Sequence, residues 1–338
     1  MARKVILDVD TGSDDAVAII LAALHPDIDL VAVCTVKGNQ PLVNTTENTR
    51  KVLDLVKSDV PLYKGCKENF VRDKCPWRIK FEDRATIVDD KGMEHFIHED
   101  LDMLPTSNRK VEEVPAPVFY VDYLNKTEQP VTLVCVGPLT NLATALSIDP
   151  SIVRNVEELV IMGGADDEAN ATSSAEFNIF GDPESAQKVF QAGFKRIVMM
   201  PLDVTHKTMV TKADCERFRQ INTFSANFCA GQCEQRIIMH DAGQPLEIPH
   251  SAAVHDALAV SYVIDPTVLT DLRHVHVDIG LKGYGSGQTI VDMRAYPLEL
   301  NSWFAFDGDR FKFVDILCDC FKRDKSTARV LSDDEVEE

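Results

Sequence analysis

The chain has 338 residues, of which 45% are apolar, which is enough to bury the core of one large α/β domain. Its formal net charge of −19 at pH 7 disfavours nucleic acid as a partner, because phosphate binding depends on clustered lysine and arginine. No signal peptide opens the chain and no apolar run is long enough to cross a bilayer, so we expect a cytoplasmic protein without membrane contact.

Strands and helices alternate from the start of the chain. An apolar strand is predicted over 4–10 and a helix over 14–24, followed by a strand over 29–36 and a helix over 43–56. Two strand–helix units in succession indicate a parallel sheet. A short strand over 60–65 is expected to join it.

The segment 67–113 has no clear periodicity and mixes charged residues with proline and glycine. A loop of this length in a compact domain is usually functional, so we expect a lid or a wall that faces a substrate. Trp77, Phe81 and Phe96 indicate that part of the segment packs against the domain.

The second half of the chain continues the alternation. Helices are predicted over 117–125, 182–192, 212–224, 226–239, 253–264 and 311–321. Strands are predicted over 131–136, 158–162 and 196–202, and a smaller antiparallel element over 274–279, 288–295 and 302–306. The fold class is therefore α/β, an open and mostly parallel sheet flanked by helices with a Rossmann-like core, in one domain over 1–321. Residues 322–338 are charged and nearly without large apolar groups, which predicts a disordered acidic tail.

The nine cysteines lie mainly in apolar segments such as those around Cys34 and Cys135. No two of them have the Cys-x-x-Cys spacing of a zinc site. We therefore expect reduced thiols packed in the core of an intracellular protein.

A cluster of acids ends the first predicted strand: Asp8, Asp10, Asp14 and Asp15. Alternation along the strand places Asp8 and Asp10 on the same side. Acids in a first helical turn stabilise the helix dipole, so Asp14 and Asp15 alone have a purely structural explanation. Together, however, the carboxylates would repel one another and take up protons unless a cation lay among them. The cluster therefore predicts a metal site.

Other polar groups are expected at the same edge of the sheet. Several predicted strands end in glycine-containing turns, at residues 10–12, 38–39, 136–137 and 162–164. In an open parallel sheet such turns gather at the carboxyl ends of the strands, where ligands bind.

Two further patches carry chemically useful side chains. Glu176 and Asn178 precede a helix whose cap and first position are predicted at Asp182 and Pro183. His255 and Asp256 lie near the start of an apolar helix, where a carboxylate requires a cation or hydrogen-bond donors. Each patch has a structural alternative, because loop residues can satisfy backbone groups and a lone histidine can pack in the core.

The same residues carry a family resemblance. Residues 8–16 match Asp-x-Asp-x-Gly-x-Asp-Asp-Ala, the opening signature of the nucleoside hydrolase family, at every specified position. The family's other marks follow in order, at residues 38–39, 137–141, 162–164, 175–178 and 255–256. Over nearly all of its length, apart from the segment 66–113 and the acidic tail, the chain resembles the inosine–uridine-preferring nucleoside N-ribohydrolases.

The resemblance implies hydrolysis of the N-glycosidic bond of ribonucleosides to free base and ribose. A bound Ca²⁺ would be held by Asp10, Asp15, Asp256 and the backbone carbonyl of Val136. A calcium-bound water would attack the sugar with Asp10 as the general base, and His255 would act as the general acid on the departing base.

The resemblance also assigns the substrate contacts. The side chains that would bind the ribose hydroxyls are Asp14, Asn39, Asn170, Glu176 and Asn178. Some purine-specific relatives stack the base on a tryptophan from the region of Trp77, which makes this residue a candidate base contact. Inosine and guanosine are the favoured substrates, with uridine as a further one, and the family association implies a homodimer or homotetramer.

Two other interpretations of the motifs stay open at this point. The Asp8-x-Asp10 pair after an apolar strand also resembles the haloacid dehalogenase-type phosphatases, which use the first Asp as nucleophile and Mg²⁺ as cofactor. That interpretation leaves Asp14, Asp15 and Glu176 unexplained. The chain could also be a non-catalytic ribose-binding protein of the same fold, and release of ribose from inosine would separate both alternatives from the hydrolase.

Overall fold

The computed structural model describes residues 2–71, 74, 86–89, 91–98, 100–296 and 298–326. The strands are β1 (Arg3–Val9), β2 (Ile28–Thr35), β3 (Leu62–Lys64), β4 (Thr86–Val88), β5 (Glu94–Phe96), β6 (Val131–Cys135), β7 (Val156–Met162), β8 (Ile197–Met200), β9 (Val210–Thr211), β10 (Ser251–Ala252), β11 (Leu269–Ile279), β12 (Thr289–Asp292) and β13 (Ser302–Gly308). The helices are α1 (Ser13–Leu24), α2 (Leu42–Leu55), α3 (Ala116–Lys126), α4 (Thr140–Ile148), α5 (Phe177–Gly181), α6 (Pro183–Phe190), α7 (Leu202–Thr205), α8 (Lys212–Ile221), α9 (Phe224–Gly243), α10 (His255–Ile264) and α11 (Arg310–Phe321).

The main sheet has nine strands in the order β12-β11-β13-β8-β7-β6-β1-β2-β3 within the described residues. Neighbouring strands pair in parallel through the series β3-β2-β1-β6-β7-β8-β13. Beyond β13, strands β11 and β12 extend the sheet in antiparallel pairing. Two small antiparallel pairs, β4 with β5 and β9 with β10, lie outside this sheet. The predicted open and mostly parallel α/β sheet with a small antiparallel element is confirmed.

Strand β13 corrects one detail of the prediction, because it belongs to the main sheet and pairs in parallel with β8. Phe304 and Ala305 are consecutive residues of β13. Both are fully buried, and they pack in different hydrophobic layers, one on each face of the sheet. A strand with two apolar faces requires cover on both sides, which an interior place in a helix-flanked sheet supplies.

Strand β1 lies inside the sheet and contacts both helix layers. Val5, Leu7 and Val9 pack in one layer and Ile6 in the other. Helix α1 follows and is buried from Ser13 to Ala22, because its apolar surface packs against α2, α9 and α10. This packing brings the amino ends of α1 and α10 together, and both ends carry acids.

The strand order reverses at β1, which has β2 on one side and β6 on the other. In open α/β sheets, ligands bind outside the carboxyl ends of the strands at such a switch point. Asp10 follows β1, Asn39 follows β2 and Val136 follows β6. The topology therefore brings these three predicted site residues to one place.

The described part of the 67–113 segment is attached to α2. The backbone N–H of Leu101 donates to Oδ1 of Asn48 at 3.1 Å, and its carbonyl accepts from Lys51 at 3.2 Å. The hydroxyl of Ser107 donates to Asp54 at 2.5 Å. These contacts hold residues 101–107 along helix α2.

The carboxyl-terminal end of the described chain also packs against the domain. Asp324 is 9% exposed, and its carboxylate accepts the N–H of Ser225 at 2.9 Å. The predicted acidic tail starts at residue 322, so its first residues contact the fold, while residues 327–338 lie outside the described residues. The division into a domain and a tail stays a prediction.

The cysteines in the described part of the chain are free thiols, and all of these except Cys66 are buried. None of the helices in the described ranges has the length and apolar character needed to span a membrane.

Candidate active site

A cavity of about 440 Å³ lies at the carboxyl ends of the parallel strands. This volume is in the range of small-molecule sites. Asp10 and Asp15 are not among its lining residues, but most of the other predicted site residues are, namely Asp14, Asn39, Val136, Asn170, Glu176, Asn178, His255 and Asp256. Trp77, the predicted base contact, lies outside the described residues.

Three buried aspartates form a cluster at this cavity. Asp14 and Asp15 lie in the first turn of α1, and Asp256 lies in the first turn of α10. One carboxylate oxygen of each lies within 4.8 Å of the others. The described residues therefore contain a cluster that could hold a metal ion.

Asp10 lies beside this cluster and is 1% exposed. Its Oδ2 accepts the N–H of Asn39 at 2.7 Å, whereas no donor among the described residues reaches its Oδ1. A Cβ atom at Gly38 would lie 2.0 Å from Oδ2 of Asp10, so the turn after β2 can approach this closely only with glycine. The fixed Oδ2 leaves the other oxygen of Asp10 available to a ligand.

Backbone groups hold Asp15 against Asp10. The carboxylate of Asp15 accepts the N–H of Asp10 at 3.0 Å and the N–H of Gly12 at 2.8 Å. The side-chain amide Nδ2 of Asn39 donates to the same carboxylate at 3.2 Å. The sequence folds this way because Thr11 and Gly12 turn the chain directly from β1 into α1.

The pKa values of these acids are raised. Burial, followed by the neighbouring Asp14, raises the pKa of Asp15 to about 6. Burial and a neighbouring carboxylate also raise the pKa of Asp10 and of Asp256 well above the usual value. A divalent cation would favour the charged forms and offset the repulsion. The all-carboxylate donor set, with one unpartnered buried oxygen on Asp10, fits a hard cation.

Glu176 is the cap of helix α5 and also lines the cavity. Its carboxylate accepts the backbone N–H groups of Gly164 at 2.9 Å, Asn178 at 2.8 Å and Ile179 at 3.1 Å. Burial raises its pKa to about 7. Glu176 therefore satisfies backbone groups of its loop, as the structural alternative proposed, and it also lines the cavity.

The two asparagines near Glu176 are also fixed by the backbone. Nδ2 of Asn178 donates to the carbonyl of Val136 at 2.8 Å and to that of Met162 at 3.2 Å. Oδ1 of Asn170 accepts the N–H of Phe177 at 2.9 Å. The ends of β6 and β7 are thus joined at the wall of the cavity.

His255 begins helix α10 and is 9% exposed. Its Nδ1 lies 2.7 Å from the hydroxyl of Thr205. Its ring centroid lies 5.7 Å from that of His206 and 6.1 Å from that of His240. Burial, and after it the positive charge of Arg236, places the pKa of His255 well below its usual value, so the ring is neutral near pH 7.

Several residues at the cavity have no counterpart in the sequence predictions. These are Arg236, His240 and Gln244, which come from helix α9 and the residue after it. No motif marks them. The one feature of the sequence that could have indicated them is the four-residue spacing of Arg236 and His240. It puts two polar side chains one turn apart on a largely buried helix. Ile87, Ile97 and His98 also line the cavity, and they belong to the 67–113 segment, which is expected to face a substrate.

Asp8 does not line the cavity and is 3% exposed. The hydroxyl of Tyr120 donates to it at 2.8 Å, and Nδ2 of Asn141 donates to it at 3.0 Å. Burial raises the pKa of Asp8 to about 7. A carboxyl group in this place is not available as a nucleophile, so the structure does not support the phosphatase interpretation.

Comparison with known proteins agrees with this geometry. The family model of inosine-uridine preferring nucleoside hydrolases matches residues 5–330. The chain is 37% identical to an inosine-uridine preferring nucleoside hydrolase of Crithidia fasciculata, over 96% of this chain and 98% of that protein. It is 36% identical to the pyrimidine-specific ribonucleoside hydrolase RihA of Enterobacter sp. (strain 638), over 94% of this chain and 97% of the relative.

Solved structures show the same relationship. A purine-preferring ribonucleoside hydrolase from Gardnerella vaginalis superposes with a TM-score of 0.79 and 28% identity, over 95% of this chain and 99% of that chain. These matches span the sheet, the aspartate cluster and the cavity together. The chain belongs to the inosine-uridine preferring nucleoside hydrolase family.

Proposed function

We propose that this protein hydrolyses the N-glycosidic bond of ribonucleosides and releases the free base and ribose. One observation carries the proposal: a cluster of buried aspartates lies in the same cavity as the polar side chains of Glu176, Asn178 and His255. Bond cleavage passes through a sugar with oxocarbenium character, and a carboxylate-rich pocket stabilises that positive charge.

The metal of this site is Ca²⁺ in the proposal. The residues that would hold it are Asp10, Asp15, Asp256 and the carbonyl of Val136. Asp14 is close enough to join the cluster, but it also faces Arg236, and we assign it to the ribose. Oxygen-only ligation is what Ca²⁺ prefers. When bound, the ion supplies positive charge that lowers the pKa of a water molecule at the site.

Asp10 is the proposed general base. Its Oδ2 is fixed by Asn39, and its Oδ1 is buried without a donor among the described residues, so this oxygen can accept a proton from the attacking water. His255 then donates a hydrogen bond or a proton to the departing base.

The ribose contacts in the proposal are Asp14, Asn39, Asn170, Glu176 and Asn178. All five line the cavity, and Glu176 and Asn178 are held rigidly by the backbone contacts described above. Preorganised acceptors and donors of this kind discriminate strongly between sugars, because a missing hydroxyl leaves a buried group unpaired.

For the base, the proposal favours inosine and guanosine, with uridine as a further substrate. The cavity offers apolar side chains such as Ile87, Ile97 and Met239 beside the polar His240 and Gln244. The relatives compared above include inosine-uridine preferring, pyrimidine-specific and purine-preferring enzymes, so their names do not decide the base. We also propose a homodimer or homotetramer, which light scattering of the purified protein tests.

A reducing-sugar assay over a nucleoside panel tests the function. The purified protein is incubated with inosine, guanosine, uridine and cytidine, each with added Ca²⁺ or with EGTA. Release of ribose that requires Ca²⁺ supports the proposal, and the Asp10→Asn variant is expected to lose this activity. Ribose binding without turnover would identify a binding protein instead. Phosphate release from p-nitrophenyl phosphate with no ribose release would refute the proposal.

A further inference from the structure

Arg236 is a buried cation at the wall of the cavity, and the residues assigned to the reaction above leave it without a role. It lies on helix α9 and is 6% exposed. A buried arginine is stable only when its donors find acceptors and its charge is balanced. Its surroundings therefore show what it holds.

The guanidinium contacts two parts of the site. Nη1 donates to the hydroxyl of Ser13 at 3.1 Å and lies 3.2 Å from Oδ1 of Asp14, in an ion pair whose two side chains are both buried. Nε donates to the carbonyl of Ala253 at 2.8 Å. Ser13 and Asp14 begin helix α1, and Ala253 lies two residues before His255.

These contacts join three separate segments of the chain. Helix α1 carries Asp14 and Asp15, helix α10 carries His255 and Asp256, and helix α9 carries Arg236 itself. No described donor forms a hydrogen bond to Oδ1 of Asp14. The orientation of this carboxylate is therefore set by the ion pair with Arg236, together with the more distant ring of His98, whose Nδ1 lies 3.8 Å away.

We infer that Arg236 is a positioning residue that holds the Asp14 carboxylate toward the ribose and fixes the turn before His255. The inference rests on the proposed function, in which Asp14 binds a ribose hydroxyl. Arg236 acts through Asp14 and does not need to contact the departing base. Its planar guanidinium suits this task, because its donors point to several acceptors at once, whereas a lysine ammonium cannot span them.

Steady-state kinetics of Arg236→Met and Asp14→Asn, alone and combined, test this coupling. Each single variant is expected to lower kcat/KM for inosine by about 100-fold, the effect of misplacing a group by roughly 1 Å. Because both changes remove the same contact, the kcat/KM of the double variant is expected to equal that of the less active single variant. Arg236→Lys keeps the charge and should recover part of the loss.

Arg219→Met is the matched control. Arg219 lies on α8 and forms an ion pair with Glu234 of α9, away from the cavity, so this variant also removes an arginine contact to α9. Its kcat/KM is expected to equal that of the wild type. Equal losses in Arg219→Met and Arg236→Met would show a general effect of helix packing and would overturn the inference.

The leaving group separates action through the ribose from action on the base. p-Nitrophenyl β-D-ribofuranoside has the same sugar, but its nitrophenolate departs without a proton. Arg236→Met is expected to reduce turnover of both compounds, with the larger loss for inosine, because the variant also loosens the turn before His255. A loss confined to inosine would mean that Arg236 acts on the base, which contradicts the inference.

Two further measurements do not depend on turnover. Ribose binding by calorimetry should weaken in Arg236→Met, and urea unfolding should show that Arg236→Met and Asp14→Asn are coupled. If the wild type releases no sugar, the proposed function fails while these measurements still test the contact. Unchanged ribose affinity together with additive unfolding effects would overturn the inference.

Discussion

The hydroxyl of Thr205 lies 2.7 Å from Nδ1 of His255. The same hydroxyl also lies 3.3 Å from the carbonyl of Leu202, a second acceptor for its proton. In the orientation that donates to the closer acceptor, Nδ1, the neutral imidazole carries its proton on Nε2. His255 lines the cavity, so that N–H is then available to a departing base. Thr205 is the last residue of α7 and belongs to no motif, yet the orientation of its hydroxyl selects the tautomer of a catalytic candidate.

Thr205→Val tests the importance of this tautomer. We expect kcat for inosine to fall about tenfold, equivalent to one net hydrogen bond. Turnover of p-nitrophenyl β-D-ribofuranoside should be unchanged, because this leaving group needs no proton. Thr208→Val is the matched control, since Thr208 is also buried and bonds only to backbone carbonyls of its own turn. Equal losses in both variants or with both substrates would contradict the assignment.

Replacement of Asp256 should change stability in opposite directions with and without metal. Burial and the neighbouring Asp14 and Asp15 raise its pKa well above the usual value, so keeping this carboxylate ionised in the metal-free native state costs stability. We expect Asp256→Asn to be more stable than the wild type in EGTA and less stable in excess Ca²⁺, by roughly 1–3 kcal/mol in each case. Urea unfolding in the two buffers measures this, and the same sign in both would argue against a cation at the cluster.

Acid should destabilise the protein partly through His240. Burial, and after it Arg236, lowers the pKa of His240 to about 4, against the usual 6.5. Between pH 6.5 and 4 the unfolded chain therefore binds more protons than the native state, so the free energy of unfolding decreases as the pH falls. His240→Gln keeps a donor for the carbonyl of Gln244 and an acceptor for the N–H of Ala253, but it does not titrate.

The wild type is expected to lose roughly 2 kcal/mol more than His240→Gln between pH 7 and pH 5. Urea unfolding at the two pH values gives this difference, in which contributions of the other titrating groups cancel to first order. Identical pH slopes for the two proteins would show that His240 does not titrate in this way.

Discrimination against 2′-deoxyribose should be strong. The proposed ribose contacts are buried or fixed by the backbone, so a substrate without the 2′-hydroxyl leaves polar groups unpaired. We expect kcat/KM for 2′-deoxyinosine to be at least about 100-fold below that for inosine. Comparable turnover of the two nucleosides would refute the assignment of Asp14, Asn39 and Glu176 to the ribose.

The sequence by itself determined the main architecture and most of the site. The apolar periodicity predicted the parallel sheet, because strands covered on both faces and buried helices each leave a local pattern. The signature from Asp8 to Ala16 identified the family, and Glu176, Asn178 and His255 stand in short local motifs. The structure places Asp14, Glu176, Asn178 and His255 at one cavity, with Asp15 in the aspartate cluster beside it.

Only the tertiary structure decided how the charges are balanced. Asp8 and Asp10 look equivalent in the sequence, yet Tyr120 and Asn141 enclose the first while an oxygen of the second has no donor among the described residues. Arg236 and Thr205 reach the site from helices that carry no motif, through contacts 223 and 50 residues apart in the chain. Such contacts depend on how whole helices pack against one another, and no local pattern of residues records that packing.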